Sequence, residues 1–277
     1  MKHGSLFSGI GGFDLAAQWM GWTNVFHCEW NPFAQRILKH YWPNAKSFND
    51  ITTSDFTVFR GLIDILTGGF PCQPYSSAGK RLGKEDHRHL WPEMLRAVRE
   101  IQPRWVIGEN VSGLTNWNAG MVFEEVQADL ESAGYEVTPF LLPACAVAAD
   151  HRRDRIWFLS RLNTDDCSNG RSRYKEFEKE LEGLVDGISL HEPDALSRAG
   201  IAAGSFLDRP EFNRLAEFPT ESPVWVGDDG FPSRLDGIAV SDWRFESIKG
   251  AGNAIAPQVA MQLFRAIDQY ERLITTL

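Results

Sequence analysis

Residues 62–67 form a short, almost unbroken apolar run, Leu62-Ile63-Asp64-Ile65-Leu66-Thr67, that ends in Gly68-Gly69-Phe70-Pro71-Cys72-Gln73-Pro74. A strand buried on both faces reads this way, and such strands belong to parallel sheets covered by helices on either side. Open sheets of that kind gather ligands and chemistry at the carboxyl ends of their strands. A thiol placed there between two prolines, after paired glycines, sits on a fixed backbone that a merely buried cysteine would not need. Cys72 is therefore a candidate nucleophile, with a buried cysteine as the plain alternative.

The other units repeat the pattern. Ser5 to Ser8 reads as a first strand, followed by the glycine turn Gly9-Ile10-Gly11-Gly12 and a helix from Phe13 to Met20. Strand, glycine turn and helix open a nucleotide- or cofactor-binding unit, because bare backbone N–H groups can approach a ligand there. Counted from Gly9, a dinucleotide fingerprint would need glycine where Asp14 stands, so a dehydrogenase is disfavoured. The second strand, Asn24 to Cys28, ends at Glu29-Trp30, where an acid can accept from a ribose and an indole can stack on adenine; a surface acid and a core tryptophan are the alternative. Asn31-Pro32 predicts an N-cap and first turn for a helix through Tyr41. Asp50 could reach an adenine amino group or simply close a turn.

Further along, a helix over about 89–101 leads to a strand ending at Glu109-Asn110-Val111, on the same crevice as Cys72. A helix Val122 to Ala133 and a strand Val137 to Leu142 precede His151-Arg152-Arg153-Asp154-Arg155, which opens a strand Ile156 to Leu159. Alternation puts Arg153 and Arg155 on one face with His151 beside them, unless the cluster is only solvated charge. Ser241 to Gly250 returns toward the body, and an amphipathic helix runs from Ala254 to about Leu273, interrupted at Pro257.

The formal net charge of −9 speaks against a simple nucleic-acid binder, but its distribution does not. Residues 176–240 carry 5 positive and 14 negative charges, so the remainder is neutral. Within that remainder, residues 75–104 and 150–175 each carry 7 positive and 4 negative charges, two basic stretches beside the proposed crevice. The segment Tyr75 to Arg88 looks like a mobile loop able to close over a polyanion. The four cysteines form no CxxC pair and no zinc-spaced cluster, so no metal is expected. No apolar run approaches the roughly 18 residues of a membrane span, and a soluble cytoplasmic protein is expected.

Taken together, Phe7-Ser8-Gly9-Ile10-Gly11-Gly12-Phe13, Gly69-Phe70-Pro71-Cys72-Gln73, Glu109-Asn110-Val111, Arg153-Asp154-Arg155 and Gly252-Asn253-Ala254 resemble, in order, the motifs of the cytosine-5 DNA methyltransferases. The resemblance implies a Rossmann-like α/β fold: a mostly parallel sheet with helices on both faces, plus a small irregular target-recognition domain. It divides the chain into a catalytic domain over 1–162 and 238–277 and a small domain over 163–237. S-adenosylmethionine is the implied cofactor, with Phe7, Gly9, Gly11 and Gly12 lining its pocket, Glu29 on the ribose, Trp30 and Ile51 around the adenine, Asp50 on its amino group, and Asn253 closing from the C-terminal end. Cys72 would add to carbon 6 of a flipped-out cytosine, Glu109 would protonate ring nitrogen 3, and Arg153 and Arg155 would steady the base and the thiolate. Burial should raise the pKa of Glu109 while Arg155 lowers it, a balance that sequence alone leaves open.

Double-stranded DNA is the expected partner, met by Gln73, Ser76, Lys80, Arg81, Arg171 and Arg173, with a monomer as the default state. Two positions depart from the family pattern: His151 stands where glutamine is usual, and Ser5 replaces a common acid. A tRNA cytosine-5 methyltransferase would use identical chemistry, whereas a non-catalytic binding module would need no thiol.

Overall fold

The computed structural model describes residues 1–71, 90–115, 120–147, 153–163 and 240–275. Cys72, Gln73, Ser76, Lys80, Arg81, His151, Arg171 and Arg173, and nearly all of the expected small domain, lie outside the described residues.

Seven strands form one sheet among the described residues: β1 (Lys2–Leu6), β2 (Thr23–Cys28), β3 (Lys46–Phe48), β4 (Ile65–Gly69), β5 (Trp105–Val111), β6 (Tyr135–Pro143) and β7 (Asp154–Leu162), in the order β3-β2-β1-β4-β5-β7-β6. The first five are mutually parallel, and β7 runs antiparallel to both its neighbours. The helices are α1 (Gly12–Trp19), α2 (Pro32–Tyr41), α3 (Trp91–Ile101), α4 (Met121–Ser132), α5 (Val240–Asn253) and α6 (Pro257–Thr275).

The apolar strand runs are explained by two cores. Leu66 and Val106 face a core shared with α3 and α4, while their neighbours Ile65, Trp105 and Ile107 face another shared with α1 and α6. Side chains alternate across a strand, so a strand covered on both faces must be apolar at nearly every position. The expected mostly parallel, doubly covered sheet is thus present. No described helix is long and apolar enough to cross a membrane.

Several boundaries differ from expectation. β1 stops at Leu6 because Phe7 turns into the left-handed region, with φ of 50°. β4 begins only at Ile65 but takes in Gly68 and Gly69. Ser241 to Gly250, expected only as a segment returning toward the body, lies within α5, which also takes in Gly252 and Asn253, and the last helix starts at Pro257 instead of being interrupted by it. Proline suits that first position, since the N–H it lacks would have no helical partner. The Asn31 cap is as expected: its Oδ1 accepts from the N–H groups of Phe33 at 2.8 Å and Ala34 at 3.1 Å.

β1 lies at the centre, with β2 and β3 to one side and β4 and β5 to the other. The chain reverses its direction of growth there, which opens a crevice beyond the carboxyl ends of β1 and β4. The glycine turn and the Gly69–Pro71 segment both emerge into it.

Candidate active site

On the β4–β5 side, the parallel register pairs Gly69 with Glu109. A Cβ on Gly69 would lie 3.3 Å from Glu109 Oε2 and 3.1 Å from Ile255 Cδ1, so a bare backbone lets the carboxyl settle against the strand end that leads to Cys72. Arg155, on the neighbouring β7, brings its Nε to 3.0 Å from Glu109 Oε1. Glu109 is 8% exposed. Burial raises its pKa to about 7 against the opposing pull of Arg155 and Arg153, so desolvation wins the balance. Arg153 Nη1 donates to the Gly252 carbonyl at 2.8 Å, tying the start of β7 to the end of α5. Burial, reinforced by Arg155, lowers the pKa of Arg153, while Glu109 offsets part of that shift.

On the β1–β2 side, the glycine turn is held from below and from its flank. Gly11 has φ of 90°, and a Cβ there would lie 2.3 Å from the Trp42 ring, so conformation and space both demand glycine. Glu29 Oε2 accepts from the Gly9 N–H at 2.7 Å, and Oε1 accepts from the Asn31 N–H at 2.8 Å. Trp30 is 81% exposed, which excludes a core role and leaves its ring face open. Asp50 closes its turn by accepting from the Thr52 N–H at 2.9 Å and the Thr52 hydroxyl at 2.8 Å, both at Oδ1. Ile51 is buried in the α3–α4 core, and Asn253 is exposed at the end of α5.

Beneath the turn, the Ser5 hydroxyl donates to Asp14, at 3.1 Å from Oδ1 and 2.9 Å from Oδ2. Ser5 Oγ also lies 2.6 Å from Ser8 Oγ. A carboxyl thus reaches Ser5 from α1, although the strand position itself carries none. Asp14 is fully buried, and that burial raises its pKa to about 7.

The structure therefore brings Glu109, Arg153 and Arg155 together, and Phe7, Gly9, Gly11, Gly12 and Glu29 together. Two participants were missed from sequence. Arg96 of α3 donates to the carbonyls of Ile51 at 2.5 Å and Ser54 at 3.1 Å, fastening the Asp50 turn. Its ion pairs with Glu93 and Glu100 at helical spacing make it look like an ordinary surface residue in the sequence. Asn110 is the second: the motif was recognised, but its side-chain bonds were not. Among the described residues, no group of three or more His, Cys, Asp or Glu is placed to hold a metal.

An open α/β sheet with a glycine turn at its switch point and an acid–arginine cluster beside it defines a Rossmann-like architecture, the kind that gathers ligands beyond its strand ends. The sequence profile of the C-5 cytosine-specific DNA methylase domain matches residues 1–196, and the chain belongs to that family. Among its relatives, the Type II methyltransferase M.Eco47II of Escherichia coli is 37% identical over 161 residues, covering 57% of this chain and 39% of that protein. M.HgiCII of Herpetosiphon aurantiacus is 32% identical over 220 residues, covering 76% and 49% respectively. The chain thus spans half or less of the length of these curated relatives. Among solved structures, the Dnmt2 methyltransferase of S. pombe superposes with a TM-score of 0.50 at 24% identity, covering 59% of this chain and 51% of that one, a likeness of fold.

Proposed function

We propose that this chain is a DNA (cytosine-5) methyltransferase that takes its methyl group from S-adenosylmethionine and works through a covalent Cys72 adduct. The observation that carries the proposal is Glu109. It is a carboxyl group with a pKa raised to about 7, set against Gly69 and clamped by Arg155. An acid that keeps its proton near neutral pH can deliver it to a ring nitrogen.

The glycine turn fits the cofactor on structural grounds. The turn is bare, Glu29 orders its backbone, and the exposed Trp30 follows Glu29 in the chain. The cofactor supplies a methyl group on a sulfonium, ready for transfer to a carbon nucleophile. Carbon 5 of cytosine is too weak a nucleophile by itself. The Cys72 thiolate adds to carbon 6 while Glu109 gives its proton to nitrogen 3, and the resulting enamine makes carbon 5 reactive. After methyl transfer, loss of the carbon 5 proton to water and return of the nitrogen 3 proton to the Glu109 carboxylate expel the thiolate. Arg155 and Arg153 hold positive charge beside this sequence, favouring both the thiolate and the base's carbonyl oxygen.

Reaching carbon 6 requires the cytosine to leave the duplex stack, at a cost of roughly a few kcal/mol. In this proposal, Gln73, Ser76, Lys80 and Arg81 meet the DNA beside the site, and Arg171 and Arg173 meet it at the start of a target-reading domain over 163–237. The enzyme acts as a monomer on duplex DNA. The test is incubation with duplex DNA containing 5-fluorocytosine, which blocks the final elimination. The expected result is a denaturation-resistant protein–DNA complex with the wild type and none with Cys72→Ser. Methylation that survives in Cys72→Ser would overturn the mechanism, and methyl transfer to tRNA with none to duplex DNA would overturn the substrate.

A further inference from the structure

The β4–β5 ladder stops at the pair Gly69–Glu109, although β5 stays in register with β7 as far as Val111. Beyond Gly69, a continued ladder would have to pair the Phe70 carbonyl and the Val111 N–H with backbone groups of the opposite strand. Neither is left orphaned. The Asn110 amide occupies the gap: its Nδ2 donates to the Phe70 carbonyl at 3.0 Å, and its Oδ1 accepts from the Val111 N–H at 2.8 Å. The partners fix the orientation of the amide, because one offers only an acceptor and the other only a donor. Asn110 is 3% exposed and its bond to the Phe70 carbonyl is made out of water, so losing it would leave that buried carbonyl unpaired.

We infer that Asn110 is a positioning residue that splices the two strand ends one amide width apart and so sets the spacing between nucleophile and acid. Phe70 is gripped at two points. Its carbonyl is held by Asn110, and its ring packs against Trp91 with centroids 4.9 Å apart. Pro71 follows with φ set by its ring, so the grip at Phe70 fixes the described strand end from which the chain continues. On the other side of the splice, Glu109 directly precedes Asn110. A side chain that held the strands at another width, or held only one of them, would move the Phe70–Pro71 strand end against Glu109 without touching the glycine turn.

The inference rests on the proposed cytosine chemistry, and the experiment separates the two. Asn110→Asp keeps the shape and the acceptor for Val111 but sets an oxygen against the Phe70 carbonyl; Asn110→Ser is too short to bridge both. Each variant is assayed with S-adenosylmethionine binding as the measure of folded protein, and rates are normalised to that fraction. The expected result is cofactor affinity within about twofold of wild type and duplex KM little changed, with the rate of covalent trapping by 5-fluorocytosine DNA reduced by about 10²-fold, the cost of misplacing a reacting group by an ångström. Asn110→Gln, with one extra methylene, should not rescue the rate. If all three variants trap DNA at the wild-type rate per cofactor-binding molecule, or if rate and cofactor affinity fall together, the inference is overturned. If the wild type itself forms no adduct, the proposed function fails first.

Discussion

Glu109 and Asp14 have pKa values pushed to the same place by the same cause, in surroundings with opposite logic. Burial raises both to about 7. Around Glu109 the opposing influences are cations, Arg155 first and Arg153 second. Around Asp14 they are hydrogen bonds, that of Ser5 first, with no cation among them. An ionised Glu109 would have an ion-pair partner already in place; an ionised Asp14 would have the Ser5 hydroxyl and the backbone only. Glu109 also stands at a strand end on the crevice, whereas Asp14 lies sealed beneath the glycine turn. One carboxyl can exchange its proton with a ligand beside a waiting cation, whereas the other, up to about pH 7, holds its proton as part of the packing. A raised pKa thus marks a functional acid only where the charged form also has somewhere to be stabilised.

The largest effect should come from removing the exchangeable proton. Glu109→Gln keeps the shape and can still hydrogen-bond, but it cannot transfer a proton to ring nitrogen 3. Methyl transfer should fall by about 10² to 10⁴-fold, with cofactor binding retained. Single-turnover methylation together with cofactor titration measures both. A loss below about tenfold would reduce Glu109 to the passive kind of carboxyl represented by Asp14.

A smaller effect should follow from taking away the cation that distinguishes the two sites. The proposed mechanism needs Glu109 protonated in the free enzyme, so kcat/KM should decline on the alkaline side of about pH 7. Arg155→Gln removes the largest influence that lowers this pKa, so the alkaline limb should move to higher pH while the low-pH plateau drops by less than in Glu109→Gln. A pH–rate series on the two proteins decides it. A limb that stays in place would show that Arg155 does not set the acidity of Glu109.

The sheet was legible because burying both faces of a strand leaves a mark at every position, and the start of α2 was legible because a cap has a local signature in Asn31-Pro32. The crevice was legible for the same reason, since strand ends and glycines fix where it opens. α5 was not. Its sequence carries Gly250 and Gly252 and no clear apolar stripe. It docks through Asn31 Nδ2 donating to Glu246 Oε2 at 3.1 Å, and through Gly250, where a Cβ would meet Ile10 at 3.0 Å. Contacts between residues so distant along the chain leave no local pattern to read. The acidity of Glu109 was half legible: both opposing causes were visible in the residue types, but their ranking required the depth of burial. The Asn110 splice could not be seen at all, because it depends on where one ladder stops.

The smallest expected effect on catalysis is also the sharpest probe of the sealed carboxyl. Asp14→Asn should leave methyl transfer within about twofold, since the substituted amide can still accept from Ser5 and takes no part in the chemistry. Stability should respond differently. A carboxyl whose folded pKa is raised contributes stability that is complete below its unfolded pKa and lost as pH climbs through the folded value, which covers about pH 4 to 7 for Asp14 and Glu109. His3 and His27 have pKa values lowered by burial to about 4, so their contribution is complete above about 6.5 and lost as pH falls through 4. Between about pH 4.5 and 6.5 the folded chain holds two carboxyl protons that the unfolded chain has lost and lacks two histidine protons that the unfolded chain retains, so these four groups give almost no net slope. Asp14→Asn breaks that cancellation by one proton. Its unfolding free energy should rise with pH across the window by about 1.4 kcal/mol per pH unit relative to the wild type, read from denaturant unfolding at several pH values. Parallel curves for the two proteins would mean that Asp14 is ionised in the fold, and the contrast with Glu109 would collapse.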